Sequence, residues 1–176
     1  MTLILETERL RLRRLRPDDL DDLHALYGDP GIRRYFPEGA LTRVETQDEL
    51  NWFVAGGDPA HPDLGLWATI YKPSGAFIGR CGLIPWTLDG KLEIEIAYLL
   101  AKDYWRQGLG GEVARALVRH GFEKLGLTRL IALIDPGNDA SRRTAMKAGL
   151  IFERAILHEG SRCHVYAIER VPQVRM

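Results

Sequence analysis

The stretch Tyr104-Trp105-Arg106-Gln107-Gly108-Leu109-Gly110-Gly111-Glu112 restricts the fold of this 176-residue chain more than any other. It follows an apolar, strand-like run, Ile94 to Leu100, and leads into a helical pattern that starts near Gly110. When a strand ends in a glycine-rich loop and turns into a helix, the first N–H groups of that helix have no acceptor inside it. The helix dipole favours negative charge at the same end. Gly108 and Gly110 let the backbone come close to a ligand, and Arg106 adds a fixed positive charge beside the loop. Two readings follow: a loop that holds a diphosphate, and a glycine-rich connector with no ligand.

Other phosphate-binding and nucleophile motifs do not fit. A dinucleotide fingerprint G-x-G-x-x-G would need glycine at Val113, and here a run of strands precedes the loop. No Gly-Lys-Ser or Gly-Lys-Thr exists for a P-loop, and no G-x-S-x-G for a nucleophile elbow. Any anion site must be local, because Lys plus Arg and Asp plus Glu both number 24 and the formal net charge is zero. That balance argues against nucleic acid or an anionic membrane as partner. No apolar run approaches the ~18 residues of a membrane span, and residues 1–9 do not read as a secretory leader. Cys81 and Cys163 lack metal-type spacing and read as two reduced thiols of a cytoplasmic protein. The five His residues form no H-E-x-x-H pattern, so no metal is expected. The length suggests one domain over residues 1–176.

Periodicity assigns the elements. Leu10 and Leu12 alternate with Arg9, Arg11 and Arg13 as a strand with one apolar face. Pro17-Asp18-Asp19 starts a helix that carries Leu20, Leu23, Leu26 and Tyr27, and Gly28-Asp29-Pro30-Gly31 stops it. Thr42-x-x-Glu45 and Thr46-x-x-Glu49 are both capping-box candidates for a second helix. Leu64–Tyr71, Ala76–Ile84 and Lys91–Leu100 read as an antiparallel meander with turns at Lys72–Gly75 and Asp89-Gly90. A long helix ending near Gly126, a strand over Arg129–Ile134 and a helix over Ser141–Ala148 follow, the last with Asn138 as cap candidate. Ile151–Leu157 and Cys163–Glu169 form a terminal hairpin. The result is a mixed α/β layer with a mostly antiparallel sheet.

Two stretches in this order resemble one superfamily, the GNAT N-acetyltransferases. Ile96–Leu100 with Tyr104-Trp105-Arg106-Gln107-Gly108-Leu109-Gly110 is similar to the family's Q/R-x-x-G-x-G/A loop. Asn138-x-x-Ser141 followed by Lys147-Ala148-Gly149-Leu150 is similar to its N-x-x-S…K-x-G-F. Trp105, the opening Thr7–Arg13 with Pro17-Asp18-Asp19, and the ending with Gly160, Arg162, His164 and Tyr166 resemble the branch of ribosomal-protein N-terminal alanine and serine acetyltransferases. The resemblance implies a twisted, mostly antiparallel GNAT sheet flanked by helices, with acetyl-coenzyme A as donor. Arg106, Gln107, Gly108, Leu109, Gly110 and Gly111 would hold the pyrophosphate. Tyr98, Leu99 and Leu100 would pair with the pantetheine amides, next to a bulge that splays their strand from Arg129–Ile134. Asn138 and Ser141 would lie near the pantetheine arm and the sulfur, with Lys147 also on the donor side. Asn138 also has a plain reading as a helix cap.

For the chemistry, an amine acceptor must be neutral, and an α-amine (~8) loses its proton more easily than a lysine amine (~10.4). Glu93, Glu95, Glu153 and His164 are the candidates for the base; Glu93 and Glu95 point to one face of the strand that feeds the loop. Glu95 is favoured because the resemblance implies a glutamate on that strand, while some of the same branch use one near Glu153. Water is the alternative, and an ordinary solvated strand face is the reading without function. Many relatives place a tyrosine seven residues after the motif asparagine as the acid for the thiolate; here that position is Ala145, and Ser141 is the substitute. Three functions remain open: acetylation of a protein N-terminus, acetylation of a small-molecule amine, and a non-catalytic acyl-coenzyme A sensor. The protein is expected to be a monomer or homodimer.

Overall fold

The computed structural model describes residues 2–172. Its strands form one eight-stranded sheet: β1 (Leu3–Glu6), β2 (Leu10–Arg14), β3 (Gly65–Tyr71), β4 (Ala76–Leu88), β5 (Lys91–Leu100), β6 (Arg129–Ile134), β7 (Ile151–His158) and β8 (Ser161–Glu169). They lie in the order β1-β2-β3-β4-β5-β6-β8-β7. Each neighbouring pair is antiparallel except β5 and β6, which run parallel around an intervening helix. The mixed α/β class and the meander are as the sequence implies. β1 is an additional strand that its sequence pattern does not announce, since four residues at an edge carry little periodicity.

Helices cover both faces. α1 (Leu20–Tyr27) and α2 (Arg43–Val54) pack Leu23, Leu26, Tyr27 and Leu50 on one face, against Leu15 and Ala68. α3 (Leu109–Arg119) and α4 (Asp139–Lys147) lie on the other, where Val113, Leu117 and Ala145 pack against Ile94, Ile96 and Leu130. Of the two capping boxes, Thr42 with Glu45 forms: each accepts from the other's backbone N–H, at 2.7 and 3.3 Å. Thr46 falls inside the helix, fully buried, and donates instead to the Thr42 carbonyl. Asp19 does not cap α1 with its side chain; its carboxylate accepts two bonds from Arg13, at 2.8 Å each.

Two tight turns fix the register. Asp89 and Gly90 both adopt positive φ, 49° and 77°, as do Glu159 and Gly160, at 50° and 78°. Two consecutive left-handed residues make the hairpin turn whose twist matches the strands. Because the first turn sits at Asp89, β4 runs on through Pro85 to Leu88, four residues past the expected end at Ile84.

Candidate active site

The glycine-rich loop joins β5 to α3 as expected. Gly108 is the cap residue of α3, with φ 78°, and no side chain caps the helix. Arg106 is also left-handed, with φ 61°, a conformation that costs a non-glycine residue roughly 1–2 kcal/mol. The N–H groups at the start of α3 are therefore aimed outward at a point with positive helix-end potential. Leu109, 1% exposed, anchors the loop in the core. Trp105 Nε1 donates to the Leu100 carbonyl (2.8 Å), and Gln107 Nε2 donates to the Asp103 carbonyl (2.9 Å). A Cβ on Gly110 would sit 3.6 Å from Thr144 of α4, and one on Gly111 would sit 3.9 Å from Lys147 Cδ. These are ordinary contact distances, so α4 packs beside the first turn of α3 without requiring glycine there, and it places the exposed Lys147 next to that turn.

The neighbouring strands open where the donor was expected. Among the described residues, β5 and β6 pair at Glu95 opposite Ile131. From Ile96 to Leu100, β5 pairs with β4 and has no β6 partner. The β4–β5 ladder keeps one register from Lys91 to Leu100, so the opening arises from divergence of β6 and not from a break in the β4–β5 pairing, as the expected bulge would have it. The Leu99 backbone faces β4, its carbonyl lying against Gly79, and the Leu100 carbonyl is bonded to Trp105, which leaves Tyr98 as the backbone that faces the opening.

Glu95 and Ser141 reach this opening from opposite faces of the sheet. Residues an odd number apart on a strand point to opposite sides, so Glu95 faces the α1/α2 side and Tyr98 the α3/α4 side. Tyr98 Oη donates to the Ser141 carbonyl (2.9 Å) and lies 3.0 Å from Ser141 Oγ. Burial raises the Tyr98 hydroxyl above its ordinary range, so it stays neutral. Asn138 Oδ1 accepts from the Ser141 N–H (3.2 Å) and caps α4, so the plain role anticipated for it is present. Ala145 is buried in the core and presents nothing to the opening.

The candidate bases are no longer equivalent. Glu93 is buried and accepts from Arg129 Nε at 3.0 and 3.2 Å. Glu153 takes the two terminal nitrogens of the same arginine, at 2.6 and 2.9 Å, which hold its carboxyl below the usual range. Glu95 meets no guanidinium at bonding distance; Trp86 Nε1 donates to it at 2.6 Å. Burial pushes its carboxyl up to about 7, against the opposing pull of that bond. Trp86 is in turn packed edge-on by His158 of the terminal hairpin, with 4.6 Å between ring centroids. His164 stacks edge-on with Phe152, centroids 5.1 Å apart, and lines a cavity of about 500 Å³ with Pro136, Ile156, Arg162 and Cys163. The Cys163 thiol is pushed up to about 11 by burial, with the Glu95 and Asp135 carboxylates adding to the rise. Cys163 shares the sheet face of Val165, which packs with Trp86, the partner of Glu95. Cys81 and Cys163 are separate, buried thiols.

Sequence reasoning missed the residues that brace the loop from outside. Arg9 Nη1 donates to the Gln107 carbonyl (2.9 Å), while its Nε and Nη2 reach Glu112 Oε2 at 2.8 and 2.7 Å. The other Glu112 oxygen accepts from the Thr7 hydroxyl (2.5 Å) and the Arg9 N–H (2.9 Å). The separation of more than 100 residues leaves no local signal for such a contact. Among the described residues no cluster of His, Cys, Asp and Glu could hold a metal, and no helix is long and apolar enough to cross a membrane.

Known proteins share this fold. A family model described as an acetyltransferase (GNAT) domain matches residues 9–151. An uncharacterised Bacillus subtilis protein, YkkB, is 33% identical over 153 residues, 86% of this chain and 87% of its own. An uncharacterised N-acetyltransferase of the same organism, YoaA, is 28% identical over 148 residues, 83% of this chain and 81% of its own. A GNAT-family acetyltransferase structure from Bacillus anthracis superposes with a TM-score of 0.79 at 25% identity, covering 96% of this chain and 98% of the other.

Proposed function

Because the chain belongs to the acetyltransferase (GNAT) family, we propose that it moves the acetyl group of acetyl-coenzyme A onto a primary amine, with a protein N-terminal α-amine as the first acceptor to test. The observation that carries this reading is the uncapped, left-handed start of α3 beside a strand edge with no partner. Those features fit the donor. The α3 N-terminus offers N–H groups to a pyrophosphate, Arg106 and Lys147 add positive charge, and the free edge at Tyr98 offers backbone partners to pantetheine amides. Gly108 at φ 78° leaves the approach clear: even a Cβ there would meet nothing closer than Arg9 Nη2, at 3.6 Å.

A thioester supplies an activated acetyl group. Glu95 takes the proton of the attacking amine, from the face opposite α3. A carboxyl near 7 is matched to that task, because it is ionised at neutral pH yet basic enough to hold the proton. On the other face, Tyr98 Oη donates to the Ser141 carbonyl and lies 3.0 Å from Ser141 Oγ; the Ser141 hydroxyl, turned from Tyr98 toward the sulfur, stabilises the departing thiolate as a hydrogen-bond donor. The α-amine is the better nucleophile near neutrality, its ~8 lying well under the ~10.4 of lysine. The cavity of about 500 Å³ beside Cys163 favours a second acceptor class, a small amine that fits within it. A basic Glu95 held by Trp86 argues against a sensor that has lost its base.

The test is thioester consumption with a panel of peptides with free N-termini, aminoglycosides and polyamines. One acceptor turned over with saturation supports the reading. Tight coenzyme A binding with no acceptor acetylated across the panel sinks it in favour of the sensor.

A further inference from the structure

We propose that Arg9 is a positioning residue for the donor loop: held by Glu112 and the β1–β2 turn, it aims the Gly108 N–H at the pyrophosphate without touching the ligand. The proposal rests on the assignment of the Arg106–Gly111 loop to the donor. It follows from four connected observations.

First, the turn that carries Arg9 is locked. The Thr7 N–H donates to the Leu10 carbonyl and the Leu10 N–H to Thr7 Oγ1, both at 2.9 Å. Lys72 closes it from β3, its Nζ donating to the Thr7 carbonyl (2.7 Å) and its N–H to the Arg9 carbonyl (2.9 Å). Second, Glu112 takes one side of the guanidinium through Nε and Nη2 and fixes its plane. Third, the remaining arm, Nη1, ends on the Gln107 carbonyl. That carbonyl and the Gly108 N–H belong to one rigid, planar peptide unit and point in opposite directions. Fixing the carbonyl toward Arg9 therefore fixes the N–H away from it, toward the mouth of α3. Fourth, the loop has little else to hold that plane. Residues 105–108 are exposed, and both Arg106 and Gly108 are left-handed. A non-glycine residue keeps such a conformation only where its surroundings hold it.

The charge of Arg9 is matched by Glu112 at 2.7 Å, so its contribution is geometric. Lysine carries the same charge but has no fork, and it cannot hold Glu112 and the Gln107 carbonyl together. This separates positioning from simple attraction. The Arg9→Ala and Arg9→Lys variants should both raise the Kd for coenzyme A and the KM for acetyl-coenzyme A by about tenfold, with kcat and the acceptor KM within about twofold. Glu112→Gln should show a smaller loss of the same kind. Acetyl-pantetheine, which lacks the pyrophosphate, should be used equally well by wild type and variants.

Three results would overturn the proposal. One is wild-type donor affinity in Arg9→Ala. Another is full rescue by Arg9→Lys, which would make Arg9 a plain cation. The third is an equal defect with acetyl-pantetheine, which would make the contact merely structural. If Arg9→Ala does not fold, Glu112→Gln read against both donors decides the same question. A Gly108→Glu control separates this failure from that of the donor loop itself. If Gly108→Glu leaves coenzyme A affinity intact, the loop assignment is wrong; if it abolishes binding while Arg9→Ala is silent, only the positioning role is lost.

Discussion

Glu95 shows how one residue acquires a role from its surroundings. Glu93, Glu95 and Glu153 look alike in sequence, but Arg129 takes two of them and leaves Glu95 to Trp86. A base whose carboxyl sits at about 7 is inactive while protonated, so kcat/KM should fall as pH drops through that value. Glu95→Gln should lower the rate at neutral pH by roughly 10²–10⁴-fold and remove that limb of the profile; a retained limb would move the role to water or to His164. The same shift has a consequence for stability. The native state holds this proton more tightly than the unfolded chain, whose carboxyl lies near 4.5. Stability therefore declines as pH rises from there through about 7, by at most about 3 kcal/mol. Urea unfolding should find Glu95→Gln more stable than wild type at pH 8 and no more stable at pH 4. Ser141 gained a partner in Tyr98 that its motif did not name, since the two meet across the gap between β5 and α4.

Among the elements, the divergence of β5 from β6 is what the site depends on, and Arg129 sits at the closed end of that fork. Its guanidinium bonds Glu93 on β5 and Glu153 on β7, and lies 3.5 Å from Glu169 on β8. Arg129→Met should destabilise the fold by about 3 kcal/mol, because it leaves the buried Glu93 without a countercharge. A denaturant midpoint within error of wild type would show that Glu93 is protonated or solvated instead. The α3 start works differently: the donor role proposed for it needs exposed N–H groups, which contribute nothing to stability by themselves. Gly108→Glu places a carboxylate at the helix mouth, in a left-handed position, and should abolish coenzyme A binding in calorimetry while leaving far-UV circular dichroism unchanged.

At the scale of the molecule, donor binding and folding are linked. A ligand that binds only the native state at 100 times its Kd adds about 2.7 kcal/mol, and for a chain of this size each kcal/mol is worth roughly 2–4 °C in Tm. Coenzyme A should therefore raise the melting temperature by several degrees in the wild type and not at all in Gly108→Glu. An equal rise in both would mean that the coenzyme binds elsewhere. The mixed α/β class, the strand order from β3 to β6, the hairpin turns and the loop were legible in the sequence because each rests on local features: two-residue and helical periodicity, positive-φ turn residues and a glycine-rich connection. The Asn138 cap was legible for the same reason. The sequence by itself thus determined the elements other than β1, their order and the place of the glycine-rich start of α3. Which glutamate escapes Arg129, which hydroxyl meets Ser141, and how Arg9 grips a loop some 100 residues away were decided only by the tertiary structure. Those contacts join groups that are distant along the chain, and burial and partner choice exist only once the sheet has brought them together.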